Sequence, residues 1–131
     1  MLALVIDDSR TMRRIVARSL TEMGYDVVEA GDGQQALDVL GGGVVPDLAC
    51  VDWNMPVMDG LTFVCRVREN PAWRGITLMM VTTEREHSQI VRALAAGAHE
   101  YLLKPFTPQA LLEKLELLGL LPERDGLEAR P

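Results

Sequence analysis

The sequence predicts an α/β protein built on a doubly wound, five-stranded parallel sheet with helices on both faces. Three observations carry that prediction. Short, wholly apolar runs recur at Leu2–Ile6, Leu48–Val51, Ile76–Val81 and Tyr101–Leu103, and such runs read as strands buried on both faces. Segments with helical spacing of apolar residues separate them, so strand and helix alternate along the chain; crossovers between parallel strands are right-handed, which puts helices on both faces. Each run then stops on a polar residue: Asp7-Asp8, Asp52, Thr82 and Lys104. In a parallel sheet those ends share one edge, where open α/β folds bind their ligands.

Taken in order, Leu2–Ile6 is the first strand. The first helix runs from about Arg10 to Met23, with Ser9 as its cap, Gly24 as its stop and Met12, Ile15, Val16, Leu20 and Met23 on one face. Asp26–Ala30 alternates like an edge strand, and Gln34–Leu40 is a short helix ended by Gly41-Gly42-Gly43. Leu48–Asp52 is the third strand. A loop through Pro56 and Gly60 leads into a helix from about Leu61 to Glu69, stopped by Pro71. Ile76–Val81 is the fourth strand, followed by a thinly apolar helix from about Ser88 to Ala96 that ends at Gly97. His99–Leu103 is the fifth. Thr107 caps a last helix with Pro108 in its first turn and Leu111, Leu112, Leu115 and Leu118 along it.

Composition bounds the function. The chain of 131 residues is 48% hydrophobic, ordinary for one soluble domain. We read residues 1–121 as that domain and 122–131 as a short polar tail. No stretch approaches the ~20 apolar residues of a membrane span, and Met1-Leu2-Ala3 enters a strand without a basic leader, so a cytoplasmic protein with no membrane partner is expected. The net charge of -6 argues against nucleic acid as a partner. Cys50 and Cys65 both lie in apolar stretches without metal-ligand spacing and read as buried, inert, reduced thiols.

The strand-end residues have a chemistry of their own. Like charges ~4 Å apart repel by about 4 kcal/mol at an effective dielectric near 20. Asp7, Asp8 and Asp52 held together therefore need a proton or a cation, and an all-oxygen shell suits Mg²⁺ (or Mn²⁺) rather than zinc. Mg²⁺ and Lys104 can offset charge on a phosphoryl group while an Asp52 oxygen attacks in line.

Four segments carry a resemblance: Val5-Ile-Asp-Asp-Ser-Arg-Thr-Met-Arg-Arg-Ile-Val16, Val51-Asp-Trp-Asn-Met-Pro-Val-Met-Asp-Gly60, Val81-Thr-Thr-Glu84 and Tyr101-Leu-Leu-Lys-Pro-Phe106. In this order and spacing the chain resembles the receiver domain of bacterial two-component response regulators, closest to the single-domain chemotaxis type. The resemblance implies the flavodoxin-like strand order 2-1-3-4-5 and a phosphorylation-activated switch rather than a turnover enzyme. By resemblance, Asp52 is the phosphoacceptor. Asp8, Asp52 and the backbone carbonyl of Asn54 bind Mg²⁺ directly, with Asp7 helping through water. Lys104 pairs with the phosphoryl group and the Thr82 hydroxyl bonds to it. Tyr101 swings inward as Thr82 moves, and the Lys104–Pro105 bond is cis. The implied partners are a sensor histidine kinase, or its phosphotransfer domain, and a downstream target such as the flagellar motor switch or another signalling protein.

Other residues are weighed against blander roles. Arg10, Arg13, Arg14 and Arg18 form a basic flank on the first helix, either solvated or a docking surface for the phosphohistidine-bearing domain. Tyr101 precedes Lys104 by three residues and shares its side of the strand only approximately. Asp32, Asp38, Asp47 and Asp59 read as caps or loop carboxylates, and His87 and His99 as structural. A Mg²⁺-dependent phosphatase with an aspartyl-phosphate intermediate would want an aspartate two positions after Asp52, where Asn54 stands. A flavodoxin-like redox or nucleotide protein would want a Gly- or Ser/Thr-rich loop where this chain has Asp7-Asp-Ser-Arg10.

Overall fold

Strand and helix alternate as β1 (Leu2–Ile6), α1 (Arg10–Glu22), β2 (Asp26–Ala30), α2 (Gly33–Gly41), β3 (Leu48–Asp52), α3 (Gly60–Glu69), β4 (Thr77–Thr83), α4 (His87–Ala96), β5 (Glu100–Lys104) and α5 (Pro108–Leu118). The structure is a computed structural model and describes residues 1–83 and 87–122. All pairings are parallel and the order is β2-β1-β3-β4-β5, as the resemblance implies. Glu84, the side chain of His87 and most of the expected tail, 123–131, lie outside the described residues, while Pro122 is buried.

Local chemistry sets the helix starts. Ser9, Asp32, Asp59 and Thr107 each accept a backbone N–H three residues on, from Met12, Gln35, Thr62 and Ala110. Asp32 and Asp59 are thus caps, and Asp47 accepts from the Leu2 N–H at 2.8 Å. The sequence reading overlooked the 3₁₀ turn Pro71–Trp73, where Asn70 caps Ala72. β4 and β5 also reach further than their apolar runs. Their ladder continues through Thr82↔Leu103 and Thr83↔Lys104, because it uses backbone groups whatever the side chain.

Alternation along the strands splits the core into two layers. Leu4, Ile6, Ala49, Val51, Leu78 and Met80 pack with residues of α2, α3 and α4. Ala3, Val5, Leu48, Cys50, Met79, Val81 and Leu102 pack with α1 and α5. Cys50 is buried and its thiol is pushed up to about 12 by burial. Cys65 departs from expectation and is exposed. On α3 the buried stripe is Gly60, Phe63, Val64 and Val67, and position 65 turns away from it.

The N-terminal edge of the sheet is fastened by Arg68 at the end of α3. Its guanidinium donates to the carbonyls of Gly97 (3.0 Å), Arg74 (3.3 Å) and Ile76 (2.9 Å). His99 Nδ1 accepts the Leu78 N–H at 3.1 Å and lies 3.2 Å from Arg68. Burial, then the neighbouring Arg68, holds the His99 pKa below its usual value, which fits the structural role expected of it.

Candidate functional site

Strand parity decides which side chains meet at the opposite, C-terminal edge. Asp7 extends the row Ala3–Val5, Asp52 extends Leu48–Cys50 and Lys104 extends Leu102, so these three share one side of the sheet. Thr82 continues the row Leu78–Met80 on the other side, and Tyr101 pairs with Met80 there. Tyr101 and Lys104, three apart, therefore lie on opposite faces, which corrects the expectation that they approximately share a side: along a strand only residues an even number apart do. Thr82 and Tyr101 are diagonal neighbours on one face.

Asp7, Asp8 and Asp52 each place a carboxylate oxygen within 4.8 Å of the others. Asp7 and Asp52 are buried and Asp8 is exposed. Lys104 Nζ donates to Asp52 Oδ1 at 3.0 Å and to Asp7 Oδ2 at 3.3 Å. Burial pushes the Asp52 carboxyl up to about 6; the Lys104 hydrogen bond pulls the other way without cancelling it, and Asp7 and Asp8 add repulsion. Burial disfavours the Lys104 charge, but its hydrogen bond and attraction to Asp52, joined by Asp7, prevail and raise its pKa. One cation among three carboxylates leaves negative charge uncompensated. An all-oxygen donor set with an exposed member fits a hard dication that keeps part of its water shell.

Several residues hold this edge in place. The Ser9 N–H donates to Asp7 Oδ1 at 2.9 Å. Arg13 donates from Nη1 to the Asp7 carbonyl at 2.8 Å and from Nε to Glu29 at 2.9 Å, tying α1 to both the acidic loop and β2. Gly60 opens α3 against the end of β3, its N–H on the Trp53 carbonyl at 2.9 Å. A Cβ there would lie 2.5 Å from the Asp52 carbonyl oxygen, so the Asp59-Gly60 pair is both cap and contact. Val57, at φ 70 and 81% exposed, is a β-branched residue in the left-handed region, a strained turn in the loop after Asp52. The Lys104–Pro105 bond is cis.

The remaining residues singled out in the sequence divide. Thr82 is buried, Asn54 exposed and Tyr101 half-buried. Trp53, next to Asp52, is buried in the core. The four arginines do not act as one face: Arg13 is engaged by Glu29 and Asp7, whereas Arg10, Arg14 and Arg18 are exposed and line a groove of about 980 Å³ that also takes in Tyr25, Asp26 and Glu29. Sequence reasoning missed Arg13's inward role, as well as Glu100 and Lys114, which hold each other at 3.1 Å beside Tyr101. Only an i,i+3-type periodicity count on α1 hinted at the first, since position 13 flanks the buried Val16, Ala17 and Leu20. No described helix is long and apolar enough to cross a membrane.

Comparison with known proteins is consistent with this geometry. A family model for the response regulator receiver domain matches residues 3–116. The chemotaxis protein CheY1 of Helicobacter pylori is 45% identical over 116 residues, covering 88% of this chain and 94% of that protein. The chemotaxis protein CheY homolog of Campylobacter jejuni is 46% identical over 114 residues, 86% of this chain and 88% of that one. Among solved structures, chemotaxis protein CheY4 of Vibrio cholerae superposes with a TM-score of 0.81 at 36% identity, covering 88% of this chain and 96% of the other.

Proposed function

The chain belongs to the response regulator receiver domain family, and from that premise we propose that Asp52 takes a phosphoryl group from the phosphohistidine of a sensor histidine kinase or its phosphotransfer domain. As a response regulator it is a phosphorylation-activated switch, not a turnover enzyme on an outside substrate. The observation that carries the assignment to Asp52 is its position: a buried carboxylate at the end of the central strand, 3.0 Å from Lys104 and within 4.8 Å of two further carboxylates.

In the step we propose, an Asp52 oxygen attacks phosphorus in line, the P–N bond to the donor imidazole breaks, and the imidazole leaves with its electron pair and takes up a proton. Asp7, Asp8, Asp52 and the backbone carbonyl of Asn54 would hold Mg²⁺ (or Mn²⁺), which when bound supplies positive charge against the phosphoryl oxygens. Lys104 turns from Asp7 and Asp52 toward the incoming group and neutralises charge that builds on its equatorial oxygens. The Thr82 hydroxyl donates to one of those oxygens. Hydrolysis later returns Asp52 to its carboxylate, so one phosphoryl group is gained and lost per cycle.

Exposed Arg10, Arg14 and Arg18 along the α1 groove suit docking of the phosphohistidine domain. The diagonal placement of Thr82 and Tyr101 supports a relay in which Thr82 draws inward and Tyr101 follows, reshaping the face of α4, β5 and α5, where Val91, Leu94, Leu103 and Leu117 are exposed. The names of the relatives, chemotaxis proteins, favour a chemotaxis output over another phosphorelay; the cytoplasm as its compartment and the flagellar motor switch as its target are part of the reading we propose. Acetyl phosphate with Mg²⁺ should label the protein at one site, and Asp52→Asn should abolish the label; stoichiometric labelling of that variant would overturn the assignment. Pull-down with and without beryllofluoride then separates a motor target from any other.

A further inference from the structure

A contact at the edge of the sheet points to a latch on the Tyr101 side chain. β5 is an edge strand, with Glu100 and Tyr101 directed to opposite faces. Lys114, from α5 on the face away from Tyr101, reaches round that edge and stands 4.6 Å from the centroid of the Tyr101 ring. Its ammonium is held there by Glu100 Oε1 at 3.1 Å, and the same oxygen accepts the Tyr101 backbone N–H at 2.9 Å. Both charged side chains are partly buried, at 28% and 17% exposure, so the pair is fixed more firmly than a solvated surface bridge.

Two groups thus fix the setting of one ring: a cation over its π face, and the carboxylate that orients the cation while accepting a bond from the tyrosine's own backbone. A cation over a tyrosine ring is attracted by its π face, and the ring forfeits that attraction on turning inward away from the edge. We propose that Lys114, oriented by Glu100, is a positioning residue that holds Tyr101 in the placement seen here and so sets the resting bias of the switch. The inference rests on the reading of Thr82 and Tyr101 as the relay. Its consequence is that loss of the Lys114 charge biases the free protein toward the phosphorylated conformation without touching the acidic pocket.

Linkage makes this measurable far from α5. A ligand favouring one conformation binds more tightly when that conformation is already populated, and the coupling is reciprocal. The probe is beryllofluoride with saturating Mg²⁺, read by Trp53 fluorescence in a Trp73→Phe background. Lys114→Met, which keeps length and drops charge, should tighten beryllofluoride binding by about threefold to tenfold. Glu100→Gln should shift it the same way by less, and Lys114→Arg, which restores the cation, should sit near wild type. In a Tyr101→Ala background Lys114→Met should have no effect. If Tyr101→Ala alters beryllofluoride affinity while Lys114→Met leaves it at the wild-type value, the latch is wrong and the relay stands. If Tyr101→Ala alters nothing, the relay itself falls and the latch with it. Lower thermal stability of Lys114→Met with unchanged affinity would mark the pair as a cover for the strand edge and also refute the proposal.

Discussion

Replacing Asp52 with Asn should make the metal-free protein more stable, by an amount that depends on pH. The folded pKa of Asp52 is about 6, against 3.8 for the free side chain. Between those values the native state holds the proton more tightly than the unfolded chain, so stability falls as pH rises through that window. Above about pH 7 the difference of roughly 2 pKa units amounts to about 3 kcal/mol against the ionised wild type. At pH 5, where folded Asp52 is mostly protonated, the same linkage leaves about half of that. Asn stays neutral throughout and is nearly isosteric, and Asp7, 3.3 Å from Lys104 in the native protein, leaves that ammonium a carboxylate partner when Asp52 is replaced. Urea denaturation in chelator-containing buffer at pH 5, 6.5 and 8 measures the gap, since carboxylates remote from position 52 titrate alike in both proteins and cancel. Adding Mg²⁺ should narrow it, because a ligand of the native state stabilises the better binder. An Asn variant no more stable than wild type at pH 8, or a gap that does not vary with pH, would refute the account of a charge held against its own burial.

Other outcomes follow from neighbouring residues. Mg²⁺ should change the fluorescence of Trp53 in a Trp73→Phe background, and Asp8→Ala should weaken that titration by about tenfold or more. Gly60→Ala should cost about 2–3 kcal/mol in thermal or urea unfolding, because its methyl must push apart the end of β3 and the start of α3. Val57→Asn should raise stability by about 1 kcal/mol while leaving acetyl phosphate labelling unchanged, since Asn accepts the left-handed backbone that a β-branched residue resists.

Much of this architecture is legible in the residues because it rests on local rules. Ser9, Asp32, Asp59 and Thr107 cap helices through atoms three residues away, and the apolar runs locate all the interior strands. The acidic cluster follows from topology once parallel strands are granted, as their C-terminal ends must share an edge. What escaped is of two kinds. Thr82, Thr83 and Lys104 belong to strands through backbone pairing, which polarity does not reveal. Arg13 with Glu29, and Lys114 with Glu100, depend on which elements the fold places side by side, and each residue alone reads as an ordinary surface charge. Cys65 was misjudged because an apolar neighbourhood in sequence spans every face of a helix, and only the stripe of Phe63, Val64 and Val67 points inward.

The Arg68 fastening, at the starts of β4 and β5, implies that the two edges of the sheet open locally at different cost. At the N-terminal edge one guanidinium gathers three carbonyls and a histidine, so freeing a single amide there means breaking several bonds at once. At the other edge like charges crowd together and a strained turn follows Asp52. Amide exchange should accordingly be slowest near Leu78 and His99 and fastest around Ser9 and Val57. Excursions of the working edge then draw on a separate and smaller free energy than unfolding does, and the molecule can flicker at one end for its whole lifetime while the other keeps it from the protease.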